Sequence, residues 1–235
     1  MEQQTLTGKI KQKRVIKSIS YSQEEIIRDI MELYGIECFE LDPTYSKGNF
    51  YKKIPKPKLK FDIEPQLPEV QKADCTQLPL ENNSVKSIMF DPPFIASIPT
   101  GKPTGIINQR FGYYRNIQVE LWNMYHKALE EFYRVLKEDG ILVFKCQDTI
   151  DASKQYLSHV EIINYASLLG FYPKDLFVLL AENRIIGKTH HNQQHCRKYH
   201  SYFLVFIKQK NPVKYTLQLN SEVSIPPNLK RIGYP

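Results

Sequence analysis

Short apolar runs alternate along the chain with longer stretches in which apolar residues recur at helical spacing, a pattern that predicts strands interleaved with helices. Ser22-Gln-Glu-Glu25 has the spacing of a capping box and opens a predicted helix carrying Ile26, Ile27, Ile30, Met31, Leu33 and Tyr34, stopped by Gly35. Residues 38–41 read as a short strand that delivers Asp42, residues 61–64 as a second and residues 70–74 as a third. A turn-rich segment through Gly48 and a basic, proline-containing stretch over 52–60 separate the first two. Residues 85–90 are the clearest strand, because their apolar run suits a parallel strand buried on both faces. A long loop over 95–118 leads to a helix striped by Leu121, Tyr125, Leu129, Phe132, Val135 and Leu136 and ending at Asp139-Gly140. Residues 141–144 form the next predicted strand. Ser158-His-Val-Glu161 is a second capping box, opening a helix that ends at Gly170, and 176–180 with 201–207 close the chain as a hairpin. The sum is an α/β fold: a doubly wound, mostly parallel sheet ending in an antiparallel hairpin, with no internal repeat. In such sheets ligands sit beyond the carboxyl ends of the strands, where Asp42, Asp74 and Asp91 all fall.

Composition narrows the classes. With 235 residues and 42% hydrophobic content the chain can bury an ordinary core, which excludes a disordered or fibrous protein. The domain is expected over 18–208, between a basic N-terminal tail (1–17) and a polar C-terminal tail (209–235). A net charge of +7 favours an acidic partner, nucleic acid being the simplest. No apolar run approaches the ~20 residues of a membrane span, and 1–17 lacks a signal-peptide core, so a cytoplasmic protein without membrane partners is expected. Cys38, Cys75, Cys146 and Cys196 lie far apart without a C-x-x-C pair and read as reduced thiols.

The candidate chemistry centres on Asp91-Pro92-Pro93-Phe94, directly after the clearest strand. Two prolines supply no N–H, so beyond the Asp91 carboxylate the peptide offers chiefly carbonyl oxygens. An exocyclic amine has two protons to give, one to Asp91 and one to the Pro92 carbonyl, while Phe94 can stack on the ring that carries it.

This tetrapeptide resembles that of the S-adenosylmethionine-dependent DNA amino-methyltransferases, the adenine-N6 and cytosine-N4 family, and in particular its small phage and mobile-element members. Asp42-Pro-Thr-Tyr-Ser-Lys-Gly48 is similar to the family's donor-binding turn, and Asp74-Cys-Thr-Gln-Leu-Pro-Leu80 to its adenine-binding turn. The passage from Arg134 through Gly140 to Asp148 resembles the helix-to-strand passage beside the catalytic pocket, and His159-Val-Glu-Ile-Ile-Asn164 and His200-Ser-Tyr-Phe-Leu-Val-Phe206 resemble segments of the phage-type members. The resemblance implies a Rossmann-like methyltransferase fold, S-adenosylmethionine as cofactor, DNA as partner and a target base flipped out of its duplex. It implies catalytic roles for Asp91, Pro92, Pro93 and Phe94. It places Asp42, Thr44, Ser46 and Gly48 around the donor's amino-acid end, with backbone N–H groups facing its carboxylate. Either Asp62 or Glu64, with a slight preference for Glu64, falls on the ribose, and Asp74 with the Cys75 amide on the donor's adenine. Ser46 stands where the family has glycine, which puts the backbone there in question and implies modest donor affinity.

Arg110-Phe-Gly-Tyr113-Tyr114-Arg115 interleaves cations with aromatic faces, as contact with phosphates and bases requires. Arg197 and Lys198 make 188–200 a second basic, target-facing segment; its histidines and cysteine match no standard zinc spacing, and no metal is expected. The reaction expected is methyl transfer to the N6 amine of adenine in DNA, in a restriction-modification or phage setting with a restriction enzyme or specificity subunit as a possible partner. The alternatives are cytosine-N4 in DNA, adenine in RNA, a protein glutamine amide, and a non-catalytic nucleic-acid-binding subunit of a methyltransferase complex.

Overall fold

The computed structural model describes residues 14–94, 117–151, 153–182 and 195–209. Its centre is an eight-stranded sheet of β1 (Ile19–Ser20), β2 (Leu41–Asp42), β3 (Leu59–Asp62), β4 (Gln71–Lys72), β5 (Val85–Phe90), β6 (Leu136–Cys146), β9 (Phe171–Leu180) and β10 (His200–Lys208). The spatial order is β1-β9-β10-β6-β5-β2-β3-β4. All neighbours pair in parallel except β10, which runs antiparallel to both β6 and β9, so the expected mostly parallel sheet with a closing hairpin is present. A separate small hairpin joins β7 (Thr149–Asp151) to β8 (Lys154–Tyr156).

Alternating residues of the central strands feed two cores. Ile88, Phe90, Leu142, Phe144, Cys146, Leu204 and Phe206 face α2 (Ile117–Val135) and α3 (Ser158–Leu169). Met89, Val143, Phe203 and Val205 face the opposite way, onto Ile26, Ile27 and Ile30 of α1 (Gln23–Tyr34). Helices therefore cover both faces, and the order of strands reverses between β5 and β2.

Local chemistry sets several boundaries. Ser22 caps α1 by accepting from the Glu25 amide at 3.2 Å, and Gly35 closes it in the left-handed conformation (φ 63°). The Glu25 carboxylate does not complete the box; it accepts from the Ser20 hydroxyl. The second expected capping box does not form. Ser158 already lies inside α3, its hydroxyl accepting from Trp122 Nε1 at 3.3 Å, and the cap comes instead from Asp148, whose carboxylate accepts the His159 amide at 3.3 Å. α2 stops at Val135 rather than at Asp139, because Leu136 already pairs with Val85; the ladder resumes at Ile141 with Ser87. The intervening residues bulge through Asp139 (φ 59°), and a Cβ on Gly140 would lie 2.7 Å from the Lys137 carbonyl oxygen. At the far end of the sheet, Lys208 Nζ donates to the Tyr133 and Leu136 carbonyls at 2.6 and 2.8 Å, placing a cation at the C-terminus of α2.

Three short strands go beyond what the sequence predicts. β1 adds a two-residue parallel edge to β9, and β7–β8 follows β6 directly. β3 also ends at Asp62, two residues before the expected strand does. Ahead of the expected domain start, Arg14 already reaches α1 and pairs with buried Asp29.

Candidate active site

The carboxyl ends of β2, β5 and β6 bring three polar side chains of the same sheet region together. Asp42 ends β2 and is buried, at 2% exposure. Its carboxylate accepts from the Thr44 amide at 2.7 Å and from the Tyr51 hydroxyl at 2.6 Å. Burial pushes the Asp42 carboxyl up to about 7, against these hydrogen bonds, and the nearby charge of Asp91 adds to the rise. Thr44 links the two strands: its hydroxyl lies 3.3 Å from Asp42 Oδ1 and accepts from the Asp91 amide at 3.2 Å.

Asp91 leaves β5 on the face of Met89, the face that α1 covers. Burial raises its carboxyl and the Lys145 ammonium acts in the opposite sense. Lys145 Nζ lies 3.2 Å from Asp91 Oδ1, and it donates to Gln23 Oε1 at 2.8 Å. The rings of Phe50, Phe94 and Phe203 lie around the same ammonium, their centroids 5.3, 5.3 and 5.6 Å away. The chain that follows Asp91 is fixed from the other side, where the Tyr125 hydroxyl donates to the Pro93 carbonyl at 2.6 Å.

The turn after β2 differs from the expected arrangement. Its amides donate inside the protein: Thr44 to Asp42, Tyr45 to the Phe61 carbonyl at 3.0 Å, Ser46 to Asp62 Oδ2 at 2.8 Å and Gly48 to the Tyr45 carbonyl at 2.9 Å. Ser46 occupies the left-handed region (φ 54°), which a glycine adopts without cost. Gly48 is also left-handed (φ 66°), and a Cβ there would lie 2.5 Å from Tyr45 Oη, so the close approach it permits is that of the Tyr45 ring. That ring stacks on Tyr51 with centroids 5.5 Å apart, and its buried hydroxyl has no hydrogen-bond partner among the described residues.

Asp62 and Glu64 are distinguished by environment. The buried Asp62 carboxylate accepts from the Ser46 and Glu64 amides, whereas Glu64 itself is exposed just beyond β3. Beyond β4, Asp74 is exposed and its Oδ1 accepts from the Thr76 amide and hydroxyl, both at 2.8 Å, which shapes a tight turn. The Cys75 thiol points inward, 3.9 Å from Met124 Sδ, and burial raises it to about 12. Arg110, Tyr113, Tyr114 and Arg115 lie outside the described residues, as do His190 and His191. Arg197 and Lys198 precede β10; both are half-buried, and Lys198 Nζ contacts Cys196 Sγ at 3.6 Å. Among the described residues no group of three potential metal ligands gathers, and no helix is long and apolar enough to cross a membrane.

Sequence reasoning does not single out Lys145, Gln23, Tyr45 or Tyr125. A lysine directly after the apolar run Leu142-Val143-Phe144 is the available signal, since a cation in a buried strand requires a counter-charge. Beyond the end of β6, Asp148 accepts from His159 Nδ1 at 2.7 Å, and the His159 ring stacks on Tyr202 with centroids 4.3 Å apart.

No protein-family model matches the chain, and no curated protein matches it. Solved structures with a similar arrangement include TTHA0409 of Thermus thermophilus, named as a DNA modification methylase and complexed with S-adenosyl-L-methionine (16% identity, TM-score 0.42, 66% of this chain and 61% of that one). The cytosine-N4-specific PvuII DNA methyltransferase is another (16% identity, TM-score 0.46, 60% and 49%). A third is the complex of M1.HpyAVI with S-adenosylmethionine (15% identity, TM-score 0.32, 56% and 47%). The chain spans less than two thirds of the length of each.

Proposed function

We propose that this chain is a DNA adenine methyltransferase that uses S-adenosylmethionine. The observation that carries the reading is the hydrogen-bonded path Asp42–Thr44–Asp91, which couples the turn fitted to a methyl donor to the carboxylate fitted to an amine acceptor. The residues fit the donor. The Tyr45 hydroxyl, without a hydrogen-bond partner among the described residues, lies at the turn for its amino-acid end, exposed Glu64 follows β3 for its ribose, and exposed Asp74 with the Cys75 amide stands beyond β4 for its adenine. Buried Asp42 and Asp62, together with Thr44, Ser46 and Gly48, hold the turn in shape.

When bound, S-adenosylmethionine supplies an electrophilic methyl group on a sulfonium. The protein's part is to place a nucleophile in line with it, and most of the rate advantage comes from that positioning. Asp91 and the Pro92 carbonyl accept the two amine hydrogens and draw the nitrogen toward a tetrahedral geometry, and Asp91 receives or relays the proton that leaves. Phe94 stacks on the base. Reaching this pocket requires the base to leave its duplex, a cost of a few kcal/mol that the stacking partly offsets. Arg110, Tyr113, Tyr114, Arg115, Arg197 and Lys198 are assigned to phosphates and neighbouring bases.

Calorimetric titration with S-adenosylmethionine, followed by incubation of the protein with labelled donor and either DNA or RNA, tests the reading. Saturable donor binding and label on DNA are expected. Absence of donor binding contradicts the reading; donor binding with label on RNA alone replaces DNA as the substrate.

A further inference from the structure

The buried Lys145 ammonium and the half-buried Asp91 carboxylate place a donor beside an acceptor, 3.2 and 3.4 Å apart by the two carboxylate oxygens. Several features hold the ammonium in that place. Its Cα pairs with that of Phe203 across the β6–β10 ladder, its Nζ donates to Gln23 at the first residue of α1, and three aromatic rings surround it. One of those rings is Phe94, the ring assigned to stack on the target base, so the ammonium lies at the edge of the space that base would occupy. An ion pair for stability alone has no need of that position, because a pair with one partner partly exposed adds little to stability.

We infer that Lys145 reads the target base, donating a hydrogen bond to the ring nitrogen that flanks the exocyclic amine while Asp91 accepts from the amine itself. The inference rests on the adenine-methyltransferase reading and names how that site engages its base. Adenine carries acceptors on both sides of its amine, N1 and N7, and thus offers a donor beside an acceptor on either edge. The Watson–Crick edge of guanine instead places an N–H beside its amine, which would face the Lys145 ammonium donor to donor. A carboxylate alone would accept from any amine; the adjacent cation adds the requirement of a ring-nitrogen acceptor beside it, which adenine meets at N1 and N7, cytosine at N3 and guanine only at N3, away from its Watson–Crick edge. Gln23 acts through Lys145 as a positioning residue, orienting the ammonium toward the pocket.

The test compares methylation of long duplexes prepared with adenine, 7-deazaadenine or 1-deazaadenine by the wild-type protein and by Lys145→Met and Lys145→Gln. The wild type is expected to lose roughly ten- to a hundredfold in kcat/KM on one of the two analogues, chiefly through KM, the range for a hydrogen bond to a charged group. Lys145→Met is expected to show no such penalty, and Lys145→Gln, which keeps a neutral donor, a smaller one. Equal wild-type rates on all three duplexes overturn the inference without any variant having to fold. A penalty of the same size in Lys145→Met overturns it too, since the deaza effect then arises elsewhere. Absence of methyl transfer to adenine DNA by the wild type overturns the underlying reading, and the inference with it.

Discussion

The Tyr125 hydroxyl of α2 donates to the Pro93 carbonyl at 2.6 Å, so the helix that packs beneath the sheet also pins the Asp91-Pro92-Pro93-Phe94 tetrapeptide. The Tyr125 ring is fully enclosed, edge-on to Phe144 at 5.2 Å. Tyr125→Phe keeps this packing and removes only the hydrogen bond. A stability loss of about 1 kcal/mol is expected in urea unfolding. The rate of methyl transfer should fall by more than donor affinity does, because the acceptor side of the site is what loosens.

Asp42 gives the protein a distinct pH dependence. Its carboxyl is raised from the ordinary 3.8 to about 7, chiefly by burial. A raised folded-state value means that the native protein binds the extra proton, so the contribution to stability is fully present below 3.8 and is lost as pH rises through about 7. Asp42→Asn keeps an acceptor for the Thr44 amide and turns its NH2 to the Tyr51 hydroxyl, which then accepts instead of donating, but it cannot ionise. Urea midpoints at pH 5 and pH 8 are expected to differ less in the variant than in the wild type; an unchanged difference would place the titration elsewhere.

Ser46 and Gly48 are both left-handed, yet only one of them is a glycine. Ser46→Gly removes a backbone cost of about 1–2 kcal/mol and adds unfolded-state entropy of about 0.4–1 kcal/mol. A small gain in stability is expected, with tighter S-adenosylmethionine binding by calorimetry. Gly48→Ala, which drives a Cβ into Tyr45, should instead destabilise the protein and weaken donor binding together.

Much of this architecture is legible in the chain because it rests on local rules. The Ser22 cap, the Gly35 stop and the β5 strand ending just before Asp91 each follow from a short pattern, and each is present. What local patterns miss depends on distant partners. Ser158 has the spacing of a cap, but Asp148, ten residues earlier in sequence, performs that task from beyond the end of β6. Glu64 falls within the strand expected over 61–64, yet β3 ends at Asp62, whose carboxylate accepts from the Ser46 and Glu64 amides. Lys145 gains its meaning only when β6 is laid beside β5.

The Asp148–His159 contact contributes stability with the opposite pH sign to Asp42. Burial acts to raise the Asp148 carboxyl, but the His159 ring and amide hold it below the usual range. A lowered folded-state value gives a contribution present above the ordinary 3.8 and lost as pH falls below it. Asp148→Ala removes both the ring contact and the α3 cap, and a loss of about 1–2 kcal/mol at neutral pH is expected. That loss should shrink in unfolding experiments carried into strong acid.

The central claim is that Asp91 presents an amine of DNA to the methyl of S-adenosylmethionine. The most direct measurement is transfer of labelled methyl from that donor to unmethylated DNA by the wild type and by Asp91→Ala, with digestion to nucleosides to identify the product. Label in N6-methyladenine, lost in Asp91→Ala while donor binding persists, is the expected result. Label retained in Asp91→Ala, or found in no nucleoside despite measurable donor binding, would contradict it.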